Sequence, residues 1–411
     1  MRIGIDLRWI SEEIACPQGK VTGISTYVIN LIKNFVKIDP TNRYILFILK
    51  GVSLNPALDV LQIDSGCLDF VEVSKSWKWS VRPDIINRAA IAVEEKIFTI
   101  PQIKRQYLDI FHSVQQGIPP FRIKNCQSVV TVHDLTYLIF AKSIRRRCYL
   151  RRLDQMRFST IDQAAMIIAD SENTKRDIIR LLGIDKSKIK VIYLGVGREF
   201  YPINHPGLIQ EIKSKYKIDH DYILHIGGIS PIKNIGSLLR AFKELIYTYK
   251  ENIKLVIAGE FSGSPYLTDF KRQVKELNLE NNVLLPGNIS NIELALFYNG
   301  AILFVYPSLY EGFGLPIIEA MACGCPVVTS NTSSIPEVAG SAGLMIDPRD
   351  VTELASAMHR VLVNHELRRK MKVAGIERAK LFSWEKTSQE TLKVYQDTWA
   401  RVKYMTKDKS I

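Results

Sequence analysis

Short apolar runs alternate with longer stretches whose apolar positions recur every three or four residues, from one end of the chain to the other. The short runs predict strands at 3–7, 44–49, 70–73, 110–112, 129–132, 166–169 and 190–193. A second series follows at 222–226, 254–258, 283–285, 302–306, 326–329 and 344–346. The amphipathic stretches between them predict helices, among them 24–37, 234–249 and 351–364. Strands that read as near-continuous apolar runs, each followed by a helix, predict an α/β chain with parallel sheets covered on both faces. The rhythm breaks at 195–221, where Pro202, Pro206 and three glycines fall among polar residues. The boundary is therefore placed near 200–218, giving one parallel-sheet domain at 1–200, a second at 218–382, and a terminal amphipathic helix within 383–411. Ligands of such sheets bind beyond the carboxyl ends of the strands. Two domains facing each other would form a cleft between two sets of strand ends.

Composition narrows the class without changing that picture. With 46% hydrophobic and 24% charged residues the 411-residue chain is globular in balance, and long enough to bury two sizeable cores. The net charge of +13 is uneven: residues 1–200 hold 30 Lys/Arg against 20 Asp/Glu, the rest 25 against 22. The basic half should attract an anionic partner. Six scattered cysteines show no zinc spacing, and Cys323 and Cys325 in an apolar stretch read as small buried residues. Reduced thiols, a charged N-terminus and the lack of a long apolar run point to the cytoplasm, with any membrane contact peripheral.

Candidate chemistry gathers in four loops, each following a predicted strand. In Pro307-Ser-Leu-Tyr-Glu-Gly-Phe-Gly-Leu-Pro, Gly312 and Gly314 let backbone amides approach a ligand, and Pro316 suits the first turn of a helix. A helix N-terminus favours an anion. Glu311 in the loop and Glu319 in the helix supply carboxylates for hydroxyl groups. Gly-Phe-Gly alone would be an ordinary helix start; the longer string is more specific. In His225-Ile-Gly-Gly-Ile-Ser-Pro-Ile-Lys, Gly227 and Gly228 permit close approach and Lys233 offers a point charge for phosphate, or else is a surface lysine at a turn. His133-Asp134 closes the strand at 129–132, and Gly23 stands between the first strand and first helix; a satisfied structural histidine and a plain turn are the alternatives. Asp219-His-Asp221 reads as a turn at the wrong end of its strand for a ligand, so no metal is predicted.

Together the four loops resemble glycosyltransferase family 4, the retaining enzymes with two Rossmann-like domains of the GT-B fold. The Glu-x7-Glu element with its Glu311-Gly-Phe-Gly-Leu-Pro core carries the likeness most specifically. His133-Asp134, Ser171-Glu-Asn-Thr174 and Val191-Ile-Tyr-Leu-Gly-Val196 stand in family order. The start, Gly4-Ile-Asp-Leu-Arg8, and Asp109-Ile-Phe-His-Ser113 look like mannosyltransferase-like members of bacterial surface-polysaccharide pathways. The resemblance implies a metal-independent, retaining hexosyltransferase that needs no cofactor beyond its donor, a nucleotide-sugar, with GDP-mannose favoured. It implies that Glu311 contacts the donor sugar, and that Gly312, Phe313, Gly314 and Leu315 hold the diphosphate with Gly227, Gly228 and Lys233. Glu319 would bind ribose, His133 would lie beside the sugar, and Gly23 and Asp134 would face the acceptor. The tail helix from Ser383 would pack back on the first domain. Many members carry Arg where this chain has Gly228, which leaves more of the diphosphate charge to Lys233 and the helix dipoles.

The acceptor would be a saccharide or lipid-linked. Lys142, Arg145, Arg146, Arg147, Arg151, Arg152 and Arg157, with Trp77 and Trp79 beside Lys75, Lys78 and Arg82, suit an anionic membrane surface. Alternatives are a transferase using a UDP-sugar, a nucleotide-sugar epimerase, an inactive scaffold, or a basic nucleic-acid binder. No nucleic-acid recognition module accompanies the charge, so nucleic acid is not the expected partner. Oligomeric state is not legible.

Overall fold

The computed structural model describes residues 1–8, 10–15, 22–52, 66–73, 100–115, 126–140, 158, 161–261 and 263–407, with side chains to 401. The basic and tryptophan-bearing segments 74–82 and 142–157 lie outside the described residues. The chain divides into two units, Met1–Tyr193 with Trp384–Ile411, and Leu194–Ser383.

Among its described residues the first unit holds seven strands: β1 (Arg2–Asp6), β2 (Arg43–Leu49), β3 (Leu68–Val73), β4 (Ile110–Ser113), β5 (Gln127–Val132), β6 (Met166–Ala169) and β7 (Ile189–Val191). They pair in parallel in the order β3-β2-β1-β4-β5-β6-β7. Ile3, Ile45, Val129 and Ile167 are fully buried, which is why the strands read as apolar runs. Helix Gly23–Ile38 covers one face. Its Thr22 cap accepts from the Ser25 amide, and Tyr27, Val28, Leu31, Ile32 and Phe35 form the buried stripe. Helix Trp384–Lys407 packs on it, with Tyr395 edge-on to Phe35 at 5.8 Å.

The second unit holds β8 (Tyr222–Ile226), β9 (Lys254–Ala258), β10 (Val283–Gly287), β11 (Leu303–Tyr306), β12 (Val327–Ser330) and β13 (Leu344–Ile346). These too are parallel, in the order β10-β9-β8-β11-β12-β13. In both sheets the order reverses beside the first strand, between β1 and β4 and between β8 and β11. Such reversals open the crevice in which ligands of α/β sheets bind. Segment 200–218, read above as a break, carries helix Pro206–Lys215 inside the second unit. Pro206 sits in its first turn, where a missing N–H costs nothing, and the His205 ring accepts from Leu208. Cys323 and Cys325 are buried thiols. Among the described residues no helix is long and apolar enough to cross a membrane.

Candidate active site

At the switch point of the second sheet, Leu303 lies beside Ile223 and Phe304 beside Leu224, so β8 and β11 end level. The turns that follow are joined by the Leu309 amide donating to the Ile232 carbonyl at 2.8 Å. Asn234, with a left-handed φ of 55°, donates to the carbonyls of Pro307 and Pro348. This framework carries Lys233 to the end of β11. Its ammonium donates to the Tyr306 hydroxyl at 2.6 Å and to Glu311 Oε1 at 2.7 Å. Burial opposes the charge on Lys233, but the Glu311 carboxylate and the Tyr306 hydroxyl outweigh it and raise the ammonium above its ordinary value. The Lys233 side chain is 23% exposed and that of Glu311 14%, so the pair is partly open to solvent.

The glycines divide by conformational need. Gly227 has φ 142°, and a Cβ there would touch the Lys233 stem at 3.4 Å. Gly259, φ 152°, comes so close to Gly227 that a Cβ would lie 2.6 Å from its carbonyl oxygen. Gly228 has neither constraint: a Cβ would meet only the Glu260 carbonyl, at 3.6 Å. Beneath the turn, buried His225 donates from Nδ1 to the Val305 carbonyl and stacks on Tyr306, while its buried Nε2 has no partner among the described residues. Burial lowers its pKa to about 4.

The end of β11 and the loop after it are held by hydroxyls from the end of β12 and the segment that follows it. Thr329 donates to the Tyr306 carbonyl, Ser330 to Ser308, Thr332 to Leu309, and Ser333 to Glu311. Buried Ser334 bridges the carbonyls of Glu311 and Phe313, each at 2.9 Å. The loop so fixed presents Glu311 and Gly312 and leads through Phe313, packed on Phe382, to Gly314. Gly314 adopts φ 110° and opens helix Leu315–Ala322, with Pro316 in its first turn. Glu319, further into that helix, accepts from the buried Tyr298 hydroxyl at 3.1 Å. Burial lifts its carboxyl to about 7, with Tyr298 holding it down and Glu199 pushing it up. The structure thus joins Lys233 and Glu311 by direct contact, with Gly227 beside the Lys233 stem. It places Gly312, Phe313, Gly314 and Leu315 on the adjoining loop and helix start, and Glu319 on that helix with Tyr298.

His133, Asp134 and Gly23 belong to the first unit. His133 follows β5, and its Nδ1 lies 2.6 Å from Asp170 Oδ2, at the end of β6. Its Nε2 lies 2.9 Å from the Val114 carbonyl, just past β4. Both neighbours are acceptors, an arrangement that favours a proton on each ring nitrogen. Burial opposes that charge, but the Asp170 carboxylate and the two hydrogen bonds outweigh it and raise the imidazole above its ordinary value. Asp134 closes a turn by accepting from the Thr136 amide. Gly23 is exposed at the first position of its helix; one turn on, Tyr27 meets the His133 ring edge-on at 5.1 Å. Asp6, the last residue of β1, and Arg8 form a buried ion pair at 2.8 Å. Asp219 and Asp221 stand at the opening of β8, away from the switch point, paired with Lys254 and Lys213.

Sequence reading did not single out Asp170, Tyr298, Tyr306 or the Ser333–Ser334 pair. Each makes its contact across at least twenty-one residues of chain, and no local motif announces such a partner.

Two doubly wound parallel sheets, with a cation and a glycine-lined helix start at one switch point, define an α/β protein of the GT-B class. Solved structures share the fold. A glycosyltransferase from Rickettsia africae matches over 97% of this chain and 98% of its own, with TM-score 0.71 at 19% identity. Anabaena HepE, solved in complex with UDP and glucose, matches over 96% and 99%, with TM-score 0.73 at 17% identity. Residues 76–200 match the model of glycosyltransferase family 4, and 209–378 that of the group 1 glycosyl transferases. The O-antigen chain mannosyltransferase B of Escherichia coli is 32% identical over 294 residues, 71% of this chain and 75% of that one. The chain belongs to the family 4 glycosyltransferases.

Proposed function

We propose that this glycosyltransferase moves a hexose, with mannose favoured, from a nucleotide-sugar to a saccharide or lipid-linked acceptor in surface polysaccharide synthesis. GDP-mannose is the favoured donor, with retention of anomeric configuration and no metal. The Lys233–Glu311 pair at the second switch point carries the reading. A departing nucleoside diphosphate gains negative charge as the glycosidic bond breaks. An ammonium and backbone amides already in position stabilise it where it develops. Glu311, beside the ammonium, accepts hydrogen bonds from sugar hydroxyls, and Glu319 accepts from ribose. The Gly312–Leu315 turn meets the diphosphate at a helix start. The mannosyltransferase relative supports the sugar. The basic first half favours a cytoplasmic enzyme that rests peripherally on an anionic leaflet.

Melting the protein against GDP-, UDP-, dTDP- and ADP-sugars tests the donor, since a ligand of the native state raises the midpoint according to its affinity. The largest shift is expected with GDP-mannose. A UDP-sugar giving the largest shift would transfer the same site to the alternative donor, and no shift with any would remove the site. Lys233→Ala and Glu311→Ala should each lower turnover at least about a hundredfold. Near-normal rates in both would refute the assignment.

A further inference from the structure

Glu319 has one oxygen committed within the protein. Oε2 accepts from Tyr298 at 3.1 Å, and among the described residues Oε1 has no hydrogen-bond partner. Tyr298 is well fixed for such a task. It is fully buried, and its ring sits edge-on between Phe200 at 6.0 Å and Phe304 at 5.3 Å. Its helix, Asn291–Gly300, is locked at the other end by a Ser290–Glu293 capping box, and Glu293 also holds Lys215 and Tyr216. We propose that Tyr298 is a positioning residue of the donor site: it holds Glu319 by one oxygen, ionised and oriented, so that the other is left for a ribose hydroxyl. This rests on the reading of Glu319 as a donor-binding group.

The neighbours of Glu319 set what Tyr298 must overcome. Glu199, near the start of the second unit, faces it with like charge, and Cys323 closes its own helix as a neutral buried thiol. Lys372 and Arg378, on the adjacent helix His365–Ala379, are turned elsewhere. Lys372 lies against Gly324, and Arg378 donates to the carbonyls of Glu337 and Val338. The Tyr298 hydroxyl is thus the group that favours the charged carboxylate, which is the stronger acceptor.

Calorimetric titration with GDP, and with UDP in parallel, between about pH 6 and about pH 9 tests this. In the wild type, affinity should rise through about pH 7, where burial has placed the Glu319 carboxyl. Tyr298→Phe should move that midpoint to higher pH and weaken binding about fivefold at neutrality. Glu199→Gln, a change at the surface contact with Asn291, should move it to lower pH. Glu319→Gln should bind weakly with no midpoint. A Tyr298→Phe profile equal to wild type, with Glu319→Gln weak, would overturn the role of Tyr298 and leave the donor site standing. Unaltered affinity in Glu319→Gln would overturn the donor-binding reading itself. Should Tyr298→Phe melt early, an unmoved midpoint in Glu199→Gln overturns the proposal in its place.

Discussion

The two ring nitrogens of His133 lie against an acceptor each, the Asp170 side chain at 2.6 Å and the Val114 carbonyl at 2.9 Å. Held between two acceptors, the buried ring is biased towards the imidazolium form. Its folded pKa lies above the ordinary value of about 6.5. The stability it adds is therefore fully present below about pH 6.5 and is lost as pH rises through the folded value. Denaturation midpoints measured towards alkaline pH should fall in the wild type and fall less in Asp170→Asn. Identical curves would show that the ring is neutral. His133-Asp134 was legible as a motif because the two residues are adjacent. The carboxylate that governs the ring is the other one, thirty-seven residues away, brought in by the pairing of β5 with β6.

At the scale of elements, apolar runs located all thirteen strands among the described residues, because a parallel strand buried on both faces has few polar positions to confuse the reading. Helices were less plain. His365–Ala379 is polar around most of its circumference and buries only Met371, Gly375 and Ala379 fully, so it offers little period to detect. Pro206 looked like an interruption because proline marks both linkers and helix starts. Thr329 closes the strand expected at 326–329, and Ser330, Thr332, Ser333 and Ser334 follow as small polar residues; only their registry beside β11 turns these hydroxyls into partners for successive carbonyls. Ser334→Ala removes the hydroxyl shared by two of them. It should cost about 1–3 kcal/mol in denaturant unfolding, with greater loss of nucleotide affinity than of secondary structure. An unchanged midpoint and affinity would make the bridge dispensable.

The whole molecule is built by interruption. The first unit is made of the two ends of the chain, and its last helix returns with definite partners. Tyr395 meets His112 Nδ1 at 2.6 Å, Trp399 donates to Asp109 at 2.9 Å, and Thr387 donates to the Tyr193 carbonyl. Asp109 and His112, noted in the sequence for their likeness to mannosyltransferases, are here fasteners for that helix. The second unit is the uninterrupted stretch between, with its own core around Leu238, Phe242, Leu255 and Leu354.

Where that stretch enters and leaves, the Val196 amide donates to the Phe382 carbonyl, and Val196 bridges Ser383 in parallel. The inserted stretch is thus tied off at its own neck, like a drawstring bag. Cut from its host at 194 and 383, it should fold as a free-standing protein and keep the nucleotide-dependent rise in melting temperature, although it could transfer no sugar. A fragment that stays unfolded would mean that the knot alone does not close the bag.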